Sequence, residues 1–368
     1  MRIPPVNFAP LLLETEALWR RNLSELFERP HFILGPQLAA FEREWAAFTR
    51  ARFAVGVANG TQAIELCLRD AGIVSPKQEV LTSALTAPFT GIGIVSAGCR
   101  IRFADVDGDT LLIDPDDAAE RVTRRTAAIV PVHLYGQPAD LARLRSLARQ
   151  AGAKLIQDAC QAHGALHRGK ALTSYGPYVT YSFYPTKNLG ALGDGGGIAT
   201  DSATIDRRLR QWRDGGRRAG GQIAYFKGIN SRLDELQCCY LRAFLTKLEE
   251  WNADRRRLAA IYDEALAGCD AVRPVKTGAE SVRHLYVVRT RKRDALRAHL
   301  AAKGIAAGIH YPHPLHLMPA FAEAGLRRGD LPRAERACRE VLTLPLWPRM
   351  PDWMASETAE AVIAFFRG

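Results

Sequence analysis

No apolar run in this chain of 368 residues approaches the roughly 18–20 residues that cross a bilayer as a helix. The seven cysteines, at 67, 99, 160, 238, 239, 269 and 338, are an odd number and lack C-x-x-C spacing. They offer neither a disulfide framework nor a zinc site, and Cys160 reads as a small buried apolar residue or, beside Asp158, as a neighbour of chemistry. No Gly-Lys-Ser/Thr follows a glycine turn, so there is no P-loop. Helix-turn-helix, zinc-finger and RNA-motif signatures are missing, as are internal repeats and low-complexity tracts. The opening "MRIPPVNFAPLLLETEALWRR" lacks a secretory pattern, because Glu14 and Glu16 interrupt its short apolar piece and no small-residue cleavage site follows. The expectation is a cytoplasmic protein with no membrane and no nucleic-acid partner.

What is present has the balance of a soluble globular protein, with 47% hydrophobic and 24% charged residues. The length suggests about two domains. The formal net charge is +11, densest in "RRLRQWRDGGRR", Arg207 to Arg218. This run reads as a solvated helix face, or as arginines that help hold a diphosphate.

Residues 53 to 200 alternate strand and helix patterns. Strands are expected at 53–58, 79–84, 100–106, 126–136, 154–159 and through Phe183, with helices at 61–73, 114–122 and 139–153 between them. Short apolar strands separated by crossover helices imply a largely parallel sheet covered on both faces. Ligands in such sheets bind at the carboxyl ends of strands. A long helical region is expected over 233–267, then a strand at 284–290, a helix at 293–304, a strand at 305–311 and a helix at 357–366. The pattern therefore divides into a large domain, 1–240, and a smaller C-terminal α/β domain, 241–368.

Four segments carry candidate chemistry. In "VANGTQA" a strand ends, Gly60 turns the chain and a helix starts at Thr61, which makes an anion site of the free N–H groups. In "LIQDACQAHGA" Asp158 follows a buried-type strand, as a helix cap or as the counter-charge of a protonated heterocyclic nitrogen. In "SFYPTKNLGALGDGGG" Lys187 lies between aromatics and glycines, either exposed on a loop or desolvated into a nucleophile. The glycines there would give a ligand clearance. In "GINSRLDELQ" Asn230 and Ser231 precede a helix, as N-caps do. Singly, none decides. In this order they describe a phosphate cradle, a carboxylate, a lysine and a second polar helix start, which is what pyridoxal 5'-phosphate needs.

With "PVHLYGQPADL", "HLYVV", "GIHYPHPLHLMPAF" and "VLTLPLWP" added, the chain resembles, over nearly its whole length, the DegT/DnrJ/EryC1/StrS family of sugar aminotransferases. The resemblance implies a fold-type I pyridoxal-phosphate enzyme whose large domain holds a mostly parallel, seven-stranded sheet. It implies that Lys187 forms the Schiff base with the cofactor, Asp158 pairs with its pyridine nitrogen and Gln161 reaches its ring hydroxyl. Gly60, Thr61 and Ser182 would bind its phosphate, and Asn230 the phosphate of the neighbouring subunit's cofactor, in a homodimer with shared sites. L-glutamate would donate the amine and a nucleotide-linked keto-sugar would accept it, with a free keto-sugar or keto-cyclitol as the alternative acceptor. Family dehydratases carry histidine where this chain has Lys187, and a regulatory role would want a fused DNA-binding segment that residues 1–30 do not provide. One departure stands out: relatives place a ring-stacking aromatic where this chain has Ala87, leaving Phe89 or Leu85 to cover the cofactor. The histidines of 310–316 look like metal ligands, but the resemblance implies no metal.

Overall fold

The computed structural model describes residues 2–367. Seven strands build the main sheet: β1 (Phe53–Val57), β2 (Glu79–Ser83), β3 (Arg100–Ala104), β4 (Thr126–Val130), β5 (Lys154–Asp158), β6 (Tyr178–Ser182) and β7 (Gly196–Thr200). Their order is β1-β7-β6-β5-β4-β2-β3. The pairs from β6 through β5, β4 and β2 to β3 are parallel, whereas β7 runs antiparallel to both β6 and β1. The expected mostly parallel, seven-stranded sheet is present.

The sheet is buried on both faces because alternate side chains feed two apolar clusters. Val80 and Val130 face one, with Ile64 and Leu68 of the helix Gly60–Asp70. Leu81 and Ile129, one position along, face the other, with Phe41 and Trp45 of the helix Pro36–Phe48. This is the two-residue period of a strand read as a continuous apolar run. The helix Pro36–Phe48 has no side-chain cap of its own. Its start is satisfied from far along the chain: the buried Glu235 carboxylate accepts the N–H groups of Gly35, Gln37 and Leu38 at 2.8, 2.7 and 3.0 Å.

A second sheet, in the order β10-β9-β8, comprises β8 (Arg273–Pro274), β9 (Tyr286–Arg289) and β10 (Val341–Leu344). It packs with Leu258, Tyr262, Leu296, Trp347 and Val362 in a third cluster. The helix Leu248–Ala265 joins the two bodies of core, with Trp251 in the cluster of the main sheet and Leu258 in that of the small one. Residues 240 and 241 lie inside the helix Glu235–Leu245.

Several sequence expectations need correction. The stretch 305–311 is not a strand; its backbone pairs with β10 at the single bridge Gly308–Thr343 and then leaves the sheet. Pro312 follows and cannot donate a ladder hydrogen bond. The helix expected over 233–267 is two helices, Glu235–Leu245 and Leu248–Ala265. β4 stops at Val130, before Pro131, instead of running to Gly136. The glycines of "GDGGG" leave no gap for a ligand: Gly196 and Gly197 begin β7. A Cβ on Gly196 would stand 2.4 Å from the Asn59 carbonyl carbon, so the clearance is filled by this chain's own backbone.

Candidate functional site

The carboxyl ends of β1, β5 and β6 deliver three of the expected residues to one place. β5 ends at Asp158 and β6 at Ser182, while the turn after β1 starts the helix Gly60–Asp70. A Cβ on Gly60 would meet Cys160 Sγ at 2.7 Å and Ser182 Cβ at 2.8 Å, so only glycine lets these segments close. Asn59 caps the helix by accepting Gln62 N–H at 2.9 Å. Among the described residues the N–H groups of Gly60 and Thr61 have no acceptor, and with the helix dipole they offer an anion two donors. The Ser182 hydroxyl stands beside them and accepts Tyr184 N–H at 3.2 Å.

Asp158 is 4% exposed. Its Oδ2 accepts the Thr90 hydroxyl at 2.8 Å and its Oδ1 the Cys160 N–H at 3.1 Å. The Thr86 and Thr90 hydroxyls meet at 3.1 Å, extending the chain of donors. Among the described residues no cation pairs with Asp158. A buried carboxylate with only neutral donors retains lone pairs that favour a cationic hydrogen-bond donor.

Lys187 lies in the irregular segment between β6 and β7. Its side chain is partly buried. Burial lowers its pKa from the ordinary lysine value, while Cys160 and Asp158 act in the opposite sense. Lys187 and Asp158 are thus within electrostatic reach of each other without forming an ion pair. Three histidines share this field: burial, then Lys187, lowers the pKa of His163 to about 3 and lowers those of His284 and His310. Burial and the lysine charge both favour the neutral ring in each.

Gln161 is held at both ends of its amide. Its Oε1 accepts Tyr135 N–H at 2.8 Å and its Nε2 donates to the Tyr311 hydroxyl at 3.0 Å. Tyr135 adopts a left-handed backbone, φ 59°, and its hydroxyl donates to the His310 carbonyl. Asn230 is exposed and lines a separate cavity of about 300 Å³ with Ile33, Ala58, Asp194, Arg232 and Gln237. A larger cavity of about 540 Å³, with Arg145, Arg149 and Lys154, contains none of the candidate residues.

Phe89 does not join the cluster. It is 62% exposed, while Thr90, next on the helix Pro88–Ser96, turns inward to Asp158. Leu85 is fully enclosed in the apolar core. Sequence reasoning missed Thr90, Tyr135 and the neutral histidines. The signal for Thr90 was the pair Thr86 and Thr90, four residues apart at the start of a helix. The arginine run is not simply a solvated face: Arg208 pairs with Asp70, Arg210 and Arg213 with Glu42, and Arg217 with Asp214. Arg218 lies over the Tyr225 ring, 4.3 Å from its centroid. His310 bonds Thr343 and His316 bonds Glu335, so the histidine-rich stretch splits between two places.

These residues fit pyridoxal phosphate. The free helix N–H groups and Ser182 suit its phosphate, unpaired Asp158 its ring nitrogen, and the desolvated amine of Lys187 its aldehyde.

The model of the DegT/DnrJ/EryC1/StrS aminotransferase family matches residues 15–367. The chain is 39% identical, over all of its length and 99% of the other, to a pleiotropic regulatory protein of Geobacillus stearothermophilus. It is also 39% identical to a dTDP-3-amino-3,4,6-trideoxy-alpha-D-glucose transaminase of Streptomyces venezuelae, over 98% of this chain and 95% of that one. Among solved structures, S. venezuelae DesV in complex with a ketimine intermediate superposes with TM-score 0.95 at 38% identity, covering 99% of this chain and 98% of that one.

Proposed function

The chain belongs to the DegT/DnrJ/EryC1/StrS aminotransferase family, and from that premise we propose that it moves the amino group of L-glutamate to a nucleotide-linked keto-sugar, using pyridoxal phosphate. The observation that carries this reading is the buried Asp158 carboxylate, which has only neutral donors, within electrostatic reach of a lysine whose pKa is lowered by desolvation. The cofactor, when bound, supplies an aldehyde that takes up the amine and a ring that absorbs electrons from a breaking C–H bond.

The chain's own residues do the rest. Gly60, Thr61 and Ser182 hold the phosphate, and Gln161 the ring hydroxyl. Asp158, steadied by Thr90, holds a proton on the pyridine nitrogen. Lys187 Nζ carries the proton between the amino-bearing carbon and the cofactor as acid and base. Desolvation lowers its pKa, which favours the neutral amine. Glutamate leaves as 2-oxoglutarate before the keto-sugar is aminated, so the cycle is ping-pong. Lysine at 187 argues for transamination over dehydration, and the gathering of Lys187, Asp158 and the phosphate-suited turn argues for catalysis over a purely regulatory role. The seven cysteines are unpaired, which supports a reducing cytoplasmic setting.

We place Asn230 at the partner's phosphate in a homodimer. Ile33 is exposed at the Asn230 cavity, and Leu192 and Leu236 are exposed next to Gln237, which also lines it, a surface suited to a second copy. Mixing Lys187→Ala and Asn230→Ala subunits, each impaired at limiting cofactor, should restore roughly a quarter of wild-type activity, since half the dimers are mixed and one site in each is whole. No recovery after confirmed subunit exchange would sink the shared site.

The direct test incubates purified protein with cofactor, L-glutamate and a panel of nucleotide keto-sugars, read by mass spectrometry. Equal amounts of 2-oxoglutarate and amino-sugar are expected. A free keto-sugar or keto-cyclitol converted in preference would replace the nucleotide-linked acceptor, and a nitrogen-free dehydrated product would overturn transamination.

A further inference from the structure

Lys187 sits in a segment without helix or strand, between β6 and β7. Its own backbone makes one hydrogen bond there, from its N–H to the Tyr184 carbonyl at 2.9 Å. The next residue, Asn188, is 4% exposed and anchors the segment through its whole carboxamide. Asn188 Nδ2 donates to Asn252 Oδ1 at 2.8 Å and to the Val282 carbonyl at 3.0 Å. With both hydrogens spent, Oδ1 is the acceptor left for His284 Nδ1, 2.9 Å away, which fixes the proton of His284 on Nδ1. Asn252 Nδ2 in turn donates to the His163 carbonyl at 2.9 Å, and His163 Nε2 to the Ser182 carbonyl at 2.8 Å.

We infer that Asn188 is a positioning residue for Lys187, the hub of a buried chain running from His284 through Asn188, Asn252 and His163 to Ser182. This rests on the reading of Lys187 as the reactive lysine. The chain ties the lysine segment to the helix Leu248–Ala265, to the strap entering β9, and to the end of β6 that carries a phosphate ligand. One network therefore sets the distance between the amine and the phosphate cradle. A buried network whose members are mutually satisfied resists displacement, because moving one member strands the others. Removing the Asn188 carboxamide leaves Val282 O, Asn252 Oδ1 and His284 Nδ1 without partners and frees the segment to shift. The amine then gains water, and a shift of about 1 Å in a reacting group can cost on the order of 100-fold in rate.

The experiment pairs steady-state kinetics with pulse acetylation of the cofactor-free full chain, read at the Lys187 peptide across pH. The charged and titratable groups coupled to that amine are Asp158, Cys160, His163, His284 and His310, and none of them is substituted in Asn188→Ala. That variant should lose about 10- to 100-fold in kcat with an acceptor KM within about threefold of wild type, and its acetylation midpoint should rise toward the ordinary lysine range. His284→Asn, whose amide nitrogen can take the Nδ1 place, should stay near wild type, while His284→Leu should repeat the loss. These two decide the matter if Asn188→Ala does not fold. An unchanged midpoint, or His284→Asn and His284→Leu behaving alike, overturns the proposal. Failure of the functional reading looks different: wild-type protein makes no amino-sugar, yet the Lys187 midpoint still moves with Asn188.

Discussion

Lys187→Ala is expected to lower transamination turnover by on the order of 10,000-fold, the upper end of what one positioned acid–base group supplies, and to abolish the visible absorbance of covalently held cofactor. Among the described residues, the groups electrostatically coupled to Lys187 are an acid, a thiol and three histidines, none of them an amine. Full multiple-turnover activity in Lys187→Ala would remove the assignment. Stability should move the other way. Burial lowers the folded-state pKa of Lys187, so between that value and the ordinary lysine value, about 10.4, the unfolded chain binds the extra proton. Unfolding free energy therefore rises with pH across this window, and the cost of burying Lys187 is complete below it. Lys187→Met, which keeps the stem and drops the amine, should melt at or above the wild-type temperature at pH 7 when both lack cofactor. A lower melting point that persists at every pH would contradict the desolvation account.

Asp158→Asn should cost on the order of 100- to 1000-fold in kcat/KM, the scale set by losing one preorganised electrostatic partner. Asparagine keeps the shape: its oxygen can still accept the Cys160 N–H while its amide nitrogen donates to the Thr90 hydroxyl, which can turn to Thr86. It cannot hold a proton on a pyridine nitrogen, because a neutral amide lacks the charge that raises that nitrogen's basicity. A cofactor analogue methylated at the ring nitrogen carries a permanent positive charge and should recover part of the loss in Asp158→Asn. A variant within fivefold of wild type, or an analogue without effect, would show that Asp158 does not serve the ring.

Both residues were legible in the sequence because each follows a strand whose apolar pattern is unmistakable. The end of a buried parallel strand is a ligand position wherever the strand packs. Asp158 was marked by the strand that ends on it, but its role came only with the other segments, and Ser182 came from the family resemblance. Lys187 was less secure, since no strand or helix contains it. Its loop reading gave way only to the company of three distant segments, and the network that holds it is invisible locally: Asn188, Asn252 and His284 are separated by 64 and 96 residues along the chain. Phe89 was expected as a ring cover; the helix Pro88–Ser96, turning about 100° per residue, leaves Phe89 exposed and presents Thr90 to Asp158.

The same division runs through the fold. Two-residue and 3.6-residue apolar periods sufficed for the parallel strands and their crossover helices, because burial on both faces leaves little choice of residue. The direction of β7 was not readable, since antiparallel pairing depends on what lies beside the strand and its glycines signal only close approach. Neither was the start of the helix Pro36–Phe48, which lacks a side-chain cap and is closed by Glu235 from 200 residues away. Sequence alone determined which residues can do the chemistry, through side-chain type and position at strand ends. Only the tertiary structure decided which of them meet and in what state of ionisation. Desolvation and hydrogen-bond partners come from residues far along the chain, and no local pattern encodes them.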